Sequence, residues 1–211
     1  MKTQQETCYL FGASGHAKVV IDIIEREGRY VIGGLFDDNH ILWGQEVFGY
    51  KVIGGLAALD GHEMKMIIAI GHNDIRHRVS RILSDRGVDF GRALHPSASV
   101  SRGVVIGHGT VVMASAVINA DTTIGEHVII NTAASVDHDC AVGNLTHIAP
   151  GVRLCGGVTV GERTLIGAGA VIIPNIRIGS DVTVGAGATV INDVPDGVTV
   201  VGIPARMKKI T

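Results

Sequence analysis

Residues 106–148 read IGHGTVVMASAVINADTTIGEHVIINTAASVDHDCAVGNLTHI. Every sixth residue of this stretch is aliphatic: Ile106, Val112, Ile118, Ile124, Ile130, Val136, Val142 and Ile148. Counted outward in the same phase, the run extends back to Leu94 and forward to Val190, 17 positions without a gap. At 46% hydrophobic residues, chance produces such a run about twice in a million trials, so the period is real. Four residues after each aliphatic the residue is nearly always small or β-branched, as at Thr110, Ala116, Thr122, Val128, Ala134 and Cys140. Glycine often follows the aliphatic directly, at Gly107, Gly125, Gly143, Gly161, Gly167, Gly179 and Gly185. A hexad of this kind predicts one short strand and a tight turn. The aliphatic and the small residue point inward, and the glycine is expected to take the turn. Stacked strands lie roughly 4.8 Å apart, each bonded to the strand above and below.

Composition agrees with a stacked, repetitive core. The chain has 211 residues, 29 of them Gly, and only 4% aromatic residues, too few rings to fill a conventional interior. Its 18 basic and 20 acidic side chains give no support for nucleic-acid binding or a basic membrane-surface patch. No apolar run approaches the roughly 20 residues of a membrane span. Residues 1–7 are polar and do not read as a signal peptide. Three cysteines, an odd number at no metal-ligand spacing, point to a reducing compartment. The expectation is a cytoplasmic protein.

Upstream of the repeat the pattern changes. Cys8-Tyr-Leu-Phe11 predicts a strand, Gly12-Ala-Ser-Gly15 a tight loop, and residues 17–27 a helix stopped by Gly28. A second strand is expected over 31–36, ending at Asp37-Asp38, and a third over 66–70. A second helix is expected over 75–86. This order predicts a small Rossmann-like parallel α/β domain over 1–93, followed by the repeat domain over 94–211. Its ligand should lie at the C-terminal ends of the strands, which carry residues 12–16, Asp37, Asp38 and residues 71–73. The loop is Gly-x-x-Gly rather than the full dinucleotide fingerprint. Glycines there let a backbone approach phosphate, and the helix N-terminus favours an anion. Asp37 lies 22 residues after Gly15, near the spacing at which an acid meets a ribose hydroxyl. A tight βα turn with capping acids fits the same residues.

The segment Gly12-Ala-Ser-Gly-His-Ala-Lys-Val-Val20, Phe36-Asp-Asp38, Ala69-Ile-Gly71 and His138-Asp-Cys140, joined to the hexads, resembles one branch of the hexapeptide-repeat acyltransferases. That branch contains the sugar O- and N-acetyltransferases of sialic acid and bacillosamine synthesis. The resemblance implies a left-handed parallel β-helix of three hexads per coil, assembled as a homotrimer with active sites between subunits. It implies acetyl-CoA as co-substrate, no metal, and a UDP-linked 4-amino-4,6-dideoxy sugar as acceptor. The alternative acceptor is sialic acid or a related sugar, acetylated on oxygen; the motifs do not separate the two. A zinc enzyme using the five repeat-domain histidines (His95, His108, His127, His138, His147) is a further reading, but no three of them share a column.

Eighteen residues per coil place His138 and Gly156 at the same point of successive coils, with His147 half a coil from each. His138 lies two residues after the inward Val136 and should face outward. Flanked by Asp137 and Asp139, it has the chemistry of a general base for acyl transfer. The family pattern puts the supporting acid directly after the histidine, which favours Asp139. The resemblance further implies that the Gly156 N–H holds the thioester oxygen. It implies that His147 binds the acetyl group or substrate, supplied by a neighbouring subunit if both histidines serve one site. Coenzyme A is expected along Ala168, Ile173 and Ala186, with Arg206, Lys208 and Lys209 near its phosphates. Gly12, Ser14, Gly15, His16, Asp37, Asp38 and Asn73 are expected to hold the nucleotide sugar. Cys140 occupies the small inward position and is expected to be structural.

Overall fold

The computed structural model describes residues 5–59 and 64–208. The chain divides into two compact units, Met1–Pro96 and Ser97–Thr211.

The first unit is an α/β sandwich built on β1 (Glu6–Phe11), α1 (Gly15–Glu27), β2 (Tyr30–Phe36), β3 (Glu46–Val47), β4 (Tyr50–Gly54), β5 (Lys65–Ile68), α2 (Asn73–Asp85) and β6 (Asp89–Phe90). The sheet order is β3-β4-β2-β1-β5-β6. Strands β4, β2, β1, β5 and β6 pair in parallel, and β3 joins β4 antiparallel. Helix α1 buries Ala17, Val20, Ile21, Ile23 and Ile24, a one-sided stripe of the kind that packs a helix on a sheet. It stops at Gly28, whose φ of 67° closes a backbone bond to the Ile24 carbonyl. Both helices begin two residues earlier than the apolar spacing predicts, because their first turns carry loop residues rather than core ones. The short strands β3, β4 and β6 carry too few alternating positions to register as a pattern.

The order reverses at β1, with β2 on one side and β5 on the other. Open parallel sheets bind ligands at such a switch point, here beside the C-terminal ends of β1 and β5.

The second unit is a left-handed parallel β-helix. Two-residue strands pair in parallel at an offset of 18 along three ladders, such as Val111–Ile129–His147–Leu165–Thr183, Val117–Ser135–Arg153–Val171–Thr189 and Thr123–Ala141–Thr159–Arg177. From Val112 to Val190 every sixth residue is at most 3% exposed. Val100 departs from the pattern at 40% exposed, since it lies on the first coil of the unit and pairs with the following coil only.

The glycines that follow the aliphatics do not make the turns. The left-handed φ falls two residues later, at Ser115, Asp121, His127, Ala133, Asp139, Leu145, Arg163, Asn175 and Asp181, and at glycines such as Gly157 and Gly169. The glycines after the aliphatics instead mark where coils touch. A Cβ at Gly161 would lie 2.5 Å from the Gly179 carbonyl carbon, and one at Gly107 2.6 Å from that of Gly125. Backbone passing over backbone leaves no room for a side chain there.

Inside the prism, buried threonines clamp successive coils. The hydroxyls of Thr110, Thr122, Thr146 and Thr164 donate to the carbonyls of Gly125, Asp137, Gly161 and Gly179 at 2.7–2.8 Å. The Cys140 thiol fills the same role, donating to the Cys155 carbonyl at 3.3 Å across the same 15-residue offset. Burial raises that thiol above its ordinary range, as befits an inert core group.

Candidate active site

His138 stands on the turn after strand Ser135–Val136, its side chain 61% exposed. Its Nδ1 lies 2.7 Å from Oδ2 of Asp139. A carboxylate only accepts, so Nδ1 carries the proton, and in the neutral ring Nε2 presents its lone pair. Asp139 can reach back because it occupies the turn's left-handed position, φ 58°, which Asp tolerates better than most residues. Asp137 does different work: one of its oxygens accepts the His138 N–H at 2.9 Å and the Asn119 side-chain amide at 2.8 Å. The Asn119 amide holds the Asp137 carboxyl below its ordinary range, helped by the His138 N–H. Asp139 first, and Asp137 behind it, raise the His138 imidazole above its ordinary value.

Gly156 lies against the His138 ring, one coil on. A Cβ there would sit 2.6 Å from Cε1 and 2.7 Å from Nε2. In this repeat the second, fourth and sixth N–H groups of a hexad bond to adjacent coils, as at Cys155, Gly157 and Thr159. The third is left over, and the Gly156 N–H has no hydrogen-bond partner among the described residues. The His138 ring and a glycine whose N–H is unpaired among the described residues thus lie against each other on successive coils.

The other expected β-helix residues divide between columns. Ile173 is half-buried, one hexad column beside Gly156 and on the same corner of the prism as His138. Ala168 and Ala186 are exposed and 18 apart, on the corner after the ladder that carries His147. His147 pairs between Ile129 and Leu165, and its Nε2 lies 3.0 Å from the Asn131 amide. Within one chain His147 therefore sits on a different ladder from His138. Arg206 and Lys208 are exposed; Lys209 lies outside the described residues.

In the first unit, Gly12 has φ 112°, and a Cβ there would lie 2.7 Å from the Ala69 carbonyl oxygen. Glycine is needed on both counts. Ser14 occupies the N-cap of α1 without a capping bond from its side chain, and Gly15 opens the helix. The Ala17 N–H turns back to the Ser14 carbonyl at 3.0 Å, and a helix start of this kind, with no side-chain cap, is a place where an anion is favoured. Asp37 joins the loop to the end of β2: its oxygens accept the Ala13 and Asn39 N–H groups at 2.8 Å each. Asp38 accepts the Leu56 N–H at 2.9 Å. Both acids thus hold backbone as capping residues do, with further lone pairs left for a ligand.

Nε2 of His16 is buried with no hydrogen-bond partner among the described residues. Burial, and then the Arg76 charge, push its imidazole down to about 4, so it is neutral near pH 7. Arg76, 1% exposed, donates to the carbonyls of Ile70 and Gly71 at 3.2 and 3.1 Å and to Asn73 Oδ1 at 2.9 Å. It fixes the loop after β5 and holds Asn73 by its side chain. Sequence reading passed over Arg76. Its signal was a charged residue in the buried stripe Arg76, Val79, Ser80, Leu83 of α2. It likewise passed over Asn119 and Asn131, which lie one coil from the groups they bond and so give no local pattern.

Among the described residues no group of three or more His, Cys, Asp or Glu side chains is gathered as a metal site, and no helix is long and apolar enough to cross a membrane.

Residues 8–83 match the family model described as PglD N-terminal domain, and residues 157–192 match that described as bacterial transferase hexapeptide (six repeats). Over 109 residues, 50% of the chain, the protein is 39% identical to UDP-N-acetylbacillosamine N-acetyltransferase of Bacillus subtilis (strain 168), and the match spans half of that relative's length. Among solved structures, the acetyltransferase domain of PglB from Neisseria gonorrhoeae FA1090 is 38% identical, with a TM-score of 0.89, over 97% of this chain and 100% of that one. PerB from Caulobacter crescentus, in complex with CoA and GDP-perosamine, is 41% identical with a TM-score of 0.90, over 96% and 97% of the two chains.

Proposed function

This chain belongs to the hexapeptide-repeat sugar N-acetyltransferases, and from that membership we propose that it transfers the acetyl group of acetyl-CoA to the 4-amino group of a UDP-linked 4-amino-4,6-dideoxy sugar. The observation that carries the proposal is the His138–Asp139 pair set against Gly156, whose N–H is unpaired among the described residues. The neutral amine attacks the thioester carbon. Nε2 of His138 takes the amine proton as the C–N bond forms, while the Gly156 N–H donates to the carbonyl oxygen as charge builds on it. Collapse breaks the C–S bond, and the imidazolium returns its proton to the departing thiolate. Asp139 stabilises the imidazolium throughout.

Residues 12–16, Asp37, Asp38 and Asn73 would hold the nucleotide sugar. Ala168, Ile173, Ala186 and His147 would line the acetyl-CoA groove. Their placement on different corners supports an active site completed by a second copy of the chain in a homotrimer, with His147 supplied by the neighbour. Acceptor nitrogen is favoured over oxygen because the Bacillus subtilis relative is a UDP-N-acetylbacillosamine N-acetyltransferase.

Thiol release from acetyl-CoA, followed with a UDP-4-amino-sugar, its GDP counterpart, a UDP-sugar lacking the amine, and free sialic acid, tests the proposal. Release with the UDP-amino-sugar alone is expected. Release with sialic acid would move the acceptor to oxygen, and preference for the GDP sugar would change the nucleotide.

Asp139→Asn is expected to move the acidic limb of kcat/KM to lower pH. The working form of His138 is neutral, so the rate rises with pH through the ring's raised pKa, and removing the first cause of that rise lowers the midpoint. A pH profile with an unmoved limb would show that Asp139 does not support the base.

A further inference from the structure

Trp43 is the only tryptophan of the chain and is 48% exposed. Its indole is not loose. Nε1 donates to the Asp37 carbonyl at 2.7 Å, and the ring edge rests on Gly55, where an added Cβ would lie 3.3 Å from Cζ2 and 2.7 Å from Asp38 Oδ1. The segment that presents it is tied down in turn. The Asn39 side chain caps the Ile41 N–H, the Trp43 N–H donates to the His40 carbonyl, and the Gly44 N–H donates to the Val52 carbonyl. A short 3-10 turn therefore holds a half-bare aromatic ring beside both acids at the C-terminal ends of β2 and β4. In a parallel nucleotide-binding sheet, phosphate sits at the glycine loop and ribose at the acid ending the second strand, which leaves the base beyond that acid. Trp43 stands there. The exposed Phe48 is less suited, since the Lys18 ammonium already lies 6.0 Å from its ring centre.

We infer that Trp43 is the platform on which the base of a nucleoside diphosphate stacks in the first unit. The inference rests on the reading that this unit holds a nucleotide sugar. Such stacking accepts any base, and its loss on alanine substitution corresponds to about 5- to 150-fold in affinity.

A lone tryptophan makes the test direct. UDP, GDP and inorganic pyrophosphate are titrated into the full-length protein while tryptophan emission is followed, with calorimetry on wild type, Trp43→Ala and Trp43→Phe. A nucleoside diphosphate is expected to quench the emission, and pyrophosphate to leave it unchanged. Trp43→Ala should weaken the nucleoside diphosphate by the factor above and leave pyrophosphate affinity unaltered, and Trp43→Phe should restore most of the loss. Calorimetric binding of UDP or GDP with unchanged emission, and with Trp43→Ala binding as wild type, would overturn the platform while leaving the nucleotide reading intact. No heat from either nucleoside diphosphate with wild type would overturn the nucleotide reading, and the platform with it.

Discussion

Thiol release from acetyl-CoA by the His138→Ala protein is expected to fall by about 10²- to 10⁴-fold, the usual contribution of a positioned general base. Among the described residues the ring is the only imidazole on its corner of the prism that carries a carboxylate on Nδ1 and lies against a glycine whose N–H is unpaired. Removing it leaves Gly156 and the acceptor site in place, so the loss should appear in kcat with KM for the acceptor little changed. The imidazole is exposed and supports no buried contact, so thermal unfolding should match wild type. A variant that unfolds early, or one that loses acceptor affinity rather than kcat, would count against the role of base. Residual activity above the uncatalysed reaction is expected from the oxyanion donor and from positioning alone.

Gly161→Val should destabilise the protein far more than Gly169→Asn, although both replace a glycine of adjacent hexads. A Cβ at Gly161 meets the backbone of the next coil, 2.5 Å from the Gly179 carbonyl carbon and the Ser180 nitrogen. A side chain in the way can swing aside, but a hydrogen-bonded coil cannot. Overpacking commonly costs about 1–3 kcal/mol, and rigid backbone puts this site at or above the upper end. Gly169 has φ 68° with nothing within 4 Å of its Cβ position. Only the left-handed backbone opposes a side chain there, at roughly 1 kcal/mol, and Asn is among the residues that tolerate it best. Circular-dichroism melts should place Gly161→Val roughly 10 °C or more below wild type and Gly169→Asn within a few degrees. Equal shifts would refute the distinction between contact glycines and turn glycines.

The prism was legible in the chain because its rule is local. An inward aliphatic every six residues needs no knowledge of distant contacts, and Val112 to Val190 obey it. The His138–Asp139 contact was legible for the same reason, being between sequence neighbours across one turn. Gly156 was reachable through the constant offset of 18 residues. The amphipathic stripe of α1 and its glycine stop were equally plain.

Other features depend on what lies 15 or 18 residues away, or on the far side of a sheet. Which glycines turn the chain and which separate coils follows from how one coil seats on the next, so the sequence pattern assigned the turns to the wrong set. Asn119 serves Asp137 only because the coils stack in register. Arg76 and His16 acquire their character from burial at the switch point of the first unit, where desolvation rather than residue type shifts their proton affinities. Trp43 reads as an ordinary exposed ring until its indole N–H is seen on the Asp37 carbonyl. Short-range periodicity thus settled the architecture from the chain alone. Packing had to settle the protonation states, the close approaches and the orientation of rings, because each is a property of the surroundings a residue is folded into.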